Sequence, residues 1–278
     1  MSARLGVVSR PDFSPAALPR IAAAVDAAGI DELWLWEDCF LQGGIAAATA
    51  ALAATDTLTV GIGVLPAPLR NVGTTAMEVA SLEAMYPGRI RVGIGHGVQD
   101  WMRQAGAAVA SPLTLLREYV TALGRLLAGE SVSLDGRYVR LADVQLEWPP
   151  AQRLPVLIGG TGPKTLRLAG EIADGVVLDN QYSPATLRAA LEHVEAGRAD
   201  RDGESFSTVL FVSCTPGADP GEIGVGGSIE KIAGCSAPYL DAGVDTLVLQ
   251  PPASTESAMP DFVATVGEVA AHLRSATR

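Results

Sequence analysis

Aromatic residues make up only 5% of this 278-residue chain, so its core has to be built from aliphatic side chains and alanine. Basic residues are also in short supply. Twenty Lys and Arg face 31 Asp and Glu, for a formal net charge of −11 at pH 7. That balance argues against nucleic acid or an anionic membrane as the main partner, and any anionic ligand must be held by local dipoles and a few basic side chains. Cysteine is scarce and dispersed (Cys39, Cys214, Cys235), with no CxxC spacing, which leads us to expect a reduced, cytoplasmic setting. Histidine occurs three times; no second histidine or cysteine stands at ligand spacing, so no metal site is expected. The longest run of small apolar residues, 45–54, is too short to span a bilayer and reads as a buried helix. No signal peptide opens the chain. There is no Gly-x-Ser-x-Gly elbow and no cysteine with a histidine partner nearby in sequence, so covalent nucleophilic catalysis has no support.

What the chain does have is alternation. Apolar strand patterns at 5–9, 32–36, 58–65 and 90–95 are separated by helical patterns at 16–28, 44–54 and 72–85. A mixed stretch (99–111), an amphipathic helix (113–127) and a hairpin-like excursion (131–146) follow. Strands then resume at 155–159, 175–179, 206–214 and 246–250, between helices at 187–196, 229–242 and 262–275. Strands alternating with helices of this length mean parallel βαβ units with right-handed crossovers. About eight such units fit a TIM (β/α)8 barrel with a small excursion after the fourth helix. The alternative is an open doubly wound sheet, but no dinucleotide fingerprint follows the first strand. One domain covering 1–278 is expected, since α/β barrels often run ~200–250 residues as a single unit.

In a barrel the chemistry gathers at the C-terminal ends of the strands. The richest of these ends is Gly159-Gly160-Thr161-Gly162-Pro163-Lys164, a glycine turn feeding a helix. Such a turn offers backbone N–H groups and the positive end of the helix dipole, a phosphate site in physical terms; it equally describes an ordinary strand-to-helix turn. Pro163 suits the first helical position, and Lys164 and Arg167 are placed to add charge. Glu37 and Asp38 end the second strand and point roughly opposite ways. Asp38 is the better candidate for a ligand hydrogen bond or a base; capping the next helix is the other reading of these acids. His96, framed by Gly95 and Gly97, is the one histidine at a strand end and a candidate proton donor or ligand hydrogen-bonder; anchoring the loop is the other reading. Arg70, beyond the glycines and prolines of 61–68, is either an anion clamp or a surface arginine. A phosphate site with few titratable groups around it points to a cofactor carrying the chemistry.

These residues together resemble the bacterial luciferase-like superfamily of flavin- and deazaflavin-dependent oxidoreductases. The likeness runs through 31–38, 61–64, 89–95, the excursion at 129–138, and most strongly 159–175 and 242–250. Gly162-Pro163-Lys164-Thr165-Leu166 with Ala169-Gly170-Glu171-Ile172-Ala173-Asp174-Gly175 is most similar to the branch that uses the deazaflavin F420, which includes methylenetetrahydromethanopterin reductases. The resemblance implies a TIM barrel and cofactor phosphate at Gly159–Lys164. It implies a ring lying across the mouth near Asp38, Gly63, Val64, Gly95 and His96, and a non-prolyl cis peptide at Gly63–Val64. It implies hydride transfer between F420 and a small organic substrate. The alternatives are an FMN-dependent monooxygenase served by a separate flavin reductase, and a flavin-binding protein without turnover. A phosphosugar-binding barrel is a reading from outside the family. The chain departs from the family in its short length, in an abbreviated stretch between Cys214 and Ser228, in lacking an acid at 7–9 and in carrying His96 where many relatives have a small residue. Alanine-rich faces at 46–48 and 50–51 would permit close packing in a homodimer.

Overall fold

The computed structural model describes residues 4–276 except 202, 222, 254 and 255. The first half alternates β1 (Arg4–Ser9), α1 (Leu18–Ala27), β2 (Glu32–Leu35), α2 (Gly44–Ala53), β3 (Thr59–Pro66), α3 (Val72–Met85) and β4 (Ile90–Gly95). The short α4 (Gln99–Gln104), the long α5 (Pro112–Leu127) and an antiparallel hairpin, β5 (Val132–Asp135) with β6 (Arg140–Val144), then intervene. The second half runs β7 (Val156–Gly159), α6 (Pro163–Ile172), β8 (Gly175–Leu178), α7 (Pro184–Arg198), β9 (Ser207–Pro216), β10 (Val225–Gly227), α8 (Ile229–Leu240), β11 (Thr246–Gln250) and α9 (Met259–Ala276).

Strands β1, β2, β3, β4, β7, β8, β9 and β11 pair in parallel in that order, and β11 returns to β1. The sheet therefore closes into a (β/α)8 barrel, as the alternation predicts. The hairpin stands apart as its own two-stranded sheet, at the expected excursion. The sequence pattern missed β10, which pairs Val225 with Cys214 at the far end of β9. Three residues, two of them glycine, carry no period-2 signal. Helix α7 begins earlier than its apolar pattern suggests. Ser183 and Thr186 form a reciprocal capping box there, with a threonine in the place usually held by Glu or Gln.

Period-2 alternation sends side chains to two different cores. Outward residues such as Val7, Leu33, Ile62, Val92, Ile158 and Leu247 pack under the helices in one large cluster. Ala47, Ala48 and Ala51 of α2 are buried in that same cluster, so most of the small face that the sequence offered to a second copy is used within the chain. Inward residues Val8, Trp34, Leu157, Val177, Val209, Phe211 and Val248 form a separate, smaller cluster inside the barrel.

Trp34 sets the packing of that interior. Its ring meets Phe211 edge-on, with centroids 5.7 Å apart. A Cβ on Gly6 would stand 3.2 Å from Trp34 Cδ1, one on Gly63 would stand 3.0 Å from Cε3, and one on Gly61 would overlap the ring outright. The neighbouring strands thus give up their side chains to admit one indole. Below it, at the N-terminal end of the barrel, the fully buried Glu32 accepts from Trp34 Nε1 (2.8 Å), Arg91 Nη1 (2.7 Å) and Arg4 Nη1 (3.0 Å). A buried carboxylate is tolerated when it is paired and hydrogen-bonded in this way.

The Gly61–Trp34 contact yields a stability prediction. Gly61→Ala should destabilise the fold by ~1–3 kcal/mol, the usual cost of overpacking a tight core. Gly124→Ala, exposed in the middle of α5 with nothing within 4 Å of its added Cβ, should hold or slightly raise the urea midpoint. Equal midpoints for the two variants would show that the interior yields around Trp34.

Candidate active site

The mouth of the barrel begins where β2 ends. Glu37 turns to the helices. Its Oε2 accepts from the Gly44 N–H at the start of α2 (2.5 Å) and from Arg70 Nη2 (2.5 Å), and its Oε1 accepts from Arg70 Nε (3.1 Å). Arg70 also donates to Glu78 Oε2 (3.1 Å). Arg70 is therefore held between two carboxylates and is not a free anion clamp, and Glu37 takes the capping role. Asp38 lies instead beside the end of β1, where Arg10 grips Asp12 through two bonds (Nε to Oδ1 3.0 Å, Nη2 to Oδ2 3.1 Å). Burial pushes the Asp38 carboxyl up from its ordinary value; the Arg10 charge opposes this and the Asp12 charge adds to it.

The centre of the mouth is shaped by β3. Its register against β4 shifts between Ile62 and Leu65, and the Gly63–Val64 peptide is cis, as the family resemblance implies. The bulge drives Val64 into the barrel opening. A Cβ on Gly93 would stand 2.9 Å from Val64 Cγ1, one on Gly95 2.5 Å from Cγ2, and one on Gly159 closer still to Cγ1. The glycines at 95 and 159, both candidates for cofactor binding, make room for Val64. Trp36, one step above Trp34 along the chain, packs edge-on against Phe211 from the other side (5.7 Å). Its Nε1 is buried with no hydrogen-bond partner among the described residues. Nothing in the sequence pattern singled Trp36 out beyond its place in an apolar strand.

His96 sits where β4 ends. Its Nδ1 is 3.0 Å from the Gly97 carbonyl, and Gln99 Nε2 donates to the carbonyls of both His96 (3.2 Å) and Gly97 (3.1 Å). Across the mouth Asn180 Nδ2 donates to Ser213 Oγ (3.0 Å) and Gln250 Oε1 (2.9 Å), joining the ends of β8, β9 and β11. This network links residues 33 and 70 positions apart, beyond the reach of local spacing.

The β7–α6 turn is open. Gly162 is the N-cap of α6 with Pro163 at its start, and the Gly162 carbonyl accepts from Thr165 (2.9 Å) and Leu166 (3.0 Å). Thr161, Gly162, Pro163 and Lys164 are all exposed. A Cβ on Gly162 would meet nothing within 4 Å, whereas one on Gly160 would run into Thr165. Tyr182 donates from its hydroxyl to the Thr161 carbonyl (3.2 Å) and braces the turn. Burial, with Asp179 nearby, pushes its phenol up to about 12, so it stays a neutral donor. Arg167 is drawn away to Glu171, which also pairs with Arg117. Lys164 has no carboxylate partner among the described residues. Burial pushes the Cys214 thiol up to about 12, which leaves no thiolate there. Among the described residues no His, Cys, Asp or Glu cluster is arranged to hold a metal ion, and no helix is long and apolar enough to cross a membrane.

Comparison with known proteins gives a consistent picture. The model of the luciferase-like monooxygenase family matches residues 2–223. The chain is similar to the 5,10-methylenetetrahydromethanopterin reductase of Methanolobus tindarius, with 30% identity over 185 residues, covering 66% of this chain and 56% of that protein. It is similar to the F420-dependent glucose-6-phosphate dehydrogenase of Nakamurella multipartita, with 31% identity over 194 residues, covering 64% of this chain and 56% of that one. It thus spans a little over half the length of these curated relatives. Among solved structures, the F420-dependent tetrahydromethanopterin reductase of Methanopyrus kandleri superposes with a TM-score of 0.84 at 19% identity, covering 98% of this chain and 100% of that one. That likeness establishes the shared fold. The chain belongs to the luciferase-like monooxygenase family.

The setting of Asp38 gives a pH prediction. A carboxyl whose folded-state pKa is raised stabilises the fold fully only below its unfolded value of 3.8, and that contribution is lost as the pH rises through the folded value. Asp38→Asn should therefore gain stability relative to wild type at pH 7 and lose that advantage at pH 3. Urea denaturation of both proteins at the two pH values checks the sign. An advantage equal at both would mean that ionisation of Asp38 is not the cause.

Proposed function

We propose that this member of the luciferase-like monooxygenase family is an F420-dependent oxidoreductase acting on a small organic substrate. The observation that carries the reading is the open start of α6 at the rim of a closed barrel. Its exposed helix N-terminus, the Gly162 position that nothing crowds and the unpaired Lys164 together suit an anionic phosphate. The buried Trp36 Nε1, a donor with no hydrogen-bond partner among the described residues, suits a group that brings polar ring atoms to the same mouth. The residues present therefore fit a phosphorylated, ring-bearing cofactor. Bound F420 supplies two-electron hydride chemistry at its central ring.

Each residue then has a bounded task. Gly160, Thr161, Gly162, Pro163 and Lys164 hold the phosphate end. Val64, raised by the β3 bulge over Gly95 and Gly159, backs the ring. Asp38 and His96 flank it and are the two side chains positioned to hold or move a proton. The relatives' dependence on F420 favours the deazaflavin. The family's monooxygenase character keeps FMN, supplied by a separate reductase, as the second reading. The three free cysteines fit a cytoplasmic enzyme, and a homodimer through α2 has only Ala46 and Ala50 of the small face left to use.

Two experiments bear on this reading. Parallel titration of the protein with F420 and with FMN should give saturable binding of F420 and weaker binding of FMN; the reverse order would favour the monooxygenase. Gly162→Asp should then weaken F420 binding at least ~10-fold, since it sets a carboxylate against the phosphate. The same change improves the helix cap by a few tenths of a kcal/mol at most, so the urea midpoint should hold or rise slightly. Unchanged affinity in this folded variant would remove the phosphate from the α6 turn.

A further inference from the structure

We propose that Gln99 is a positioning residue: it fixes the loop that locks His96 with its hydrogen on Nδ1, so that Nε2 presents a lone pair to the barrel mouth. A carbonyl oxygen only accepts, so the 3.0 Å contact between His96 Nδ1 and the Gly97 carbonyl requires the hydrogen on Nδ1. In a neutral imidazole the other nitrogen is then the acceptor. No hydrogen bond from the described residues reaches Nε2. The two ring nitrogens thus have separate duties: Nδ1 orients the ring and Nε2 is the atom that takes up a proton.

The tautomer depends on the Gly97 carbonyl staying where it is, and two contacts hold it. The first is Gln99. Its amide nitrogen lies 3.1 Å from that carbonyl and 3.2 Å from the carbonyl of His96, so its two hydrogens tie both peptide groups to the start of α4. The second is Met102, fully buried one helical turn on. Gly97 has φ +70, and a Cβ there would stand 2.8 Å from Met102 Sδ. The turn is therefore fixed from beneath by packing and from the side by the amide. Of these contacts only the amide can be removed while leaving the backbone path and the buried methionine in place. The proton-accepting role rests on the active-site reading above; the tautomer does not.

The test uses the 15N-labelled full-length protein at alkaline pH, where free imidazole is neutral. Three histidines give three ring patterns in a long-range 15N–1H correlation spectrum, and His96→Asn identifies the one sought. His193 and His272 are exposed on helices and serve as internal references for the Nε2–H form that free histidine favours in water. The wild type should show His96 in the Nδ1–H form. Gln99→Met, which keeps length and loses both donors, should move His96 toward a mixture. Gln99→Asn, which keeps the donors on a shorter arm, should restore part of the Nδ1–H population. Adding F420 should shift the His96 Nε2 resonance and leave the other two histidines unmoved. An Nε2–H form in the wild type would overturn the tautomer, and an unchanged spectrum in Gln99→Met would overturn the role of Gln99. An unmoved Nε2 with F420 bound would place His96 outside the site. Failure of the wild type to bind F420 would instead count against the proposed function and leave the tautomer result standing.

Discussion

The volume of the barrel interior is the constraint on which the rest of this structure depends. Few aromatic side chains are available, and within the inner cluster two residues crowd their neighbours most: Trp34 in the middle and Val64 at the mouth. Each imposes glycine on its neighbours. Trp34 excludes a side chain at Gly61 and, with Phe211 and Val248, crowds Gly63 and Gly6, while Val64 crowds Gly93, Gly95 and Gly159. Those glycines lie on β1, β3, β4 and β7, so packing fixes how closely the strands approach and how far the β3 bulge rises. The floor of the candidate active site is a consequence of this filling. Val64 and the Trp36–Phe211 pair form the floor of the mouth, and the glycines beside Val64 serve the protein's own packing.

Charge is arranged with similar economy. The chain is strongly acidic overall, and most of the arginines near its strand ends already answer a carboxylate: Arg10 meets Asp12, Arg70 meets Glu37 and Glu78, Arg91 meets Glu32, and Arg167 meets Glu171. Pairs of this kind leave little net field for an anion. Backbone N–H groups at a helix start are different, because their partial charge is fixed by the peptide geometry and has no counterion to satisfy. In an acidic protein with these arginines committed, the proposed phosphate site at the start of α6 rests on such backbone groups and on Lys164, which has no carboxylate partner among the described residues.

Much of this was legible in the sequence because it is local. Alternation of apolar strands and helices at 5–95 and again at 155–275 specified the barrel, and the glycine turn at 159–164 could be placed on a strand-to-helix exit. Asp38 and Glu37 could be told apart in principle by the period of a strand, and the structure does send them to different partners. What sequence reading missed was set by pairing across the fold. The commitment of Arg70 to Glu37, the Asn180–Ser213–Gln250 network and the isolation of Trp36 Nε1 all depend on which strand ends become neighbours once the barrel closes. Strand β10 was missed for a different reason: a glycine-rich triplet has no pattern to read. Gly95 framed a candidate histidine and Gly159 opened a candidate phosphate turn, but the sequence could not show that both make room for Val64.

The two titratable groups that flank the mouth are held in different ways, and this bears on how a barrel so poor in histidine can move a proton. Asp38 is controlled by environment. Burial favours its neutral form, and Arg10 opposes this with a charge already shared with Asp12. His96 is controlled by geometry, since the Gly97 carbonyl fixes which nitrogen bears the hydrogen. Burial raises the proton affinity of Asp38 above that of a free carboxyl, while the proposed Nδ1–H tautomer of His96 leaves Nε2 as its acceptor atom. Val64 stands on β3, between the strands that carry Asp38 and His96. The bulge thus sets Val64 between the strand ends of Asp38 and His96, the two side chains to which the proposed function gives the handling of a proton.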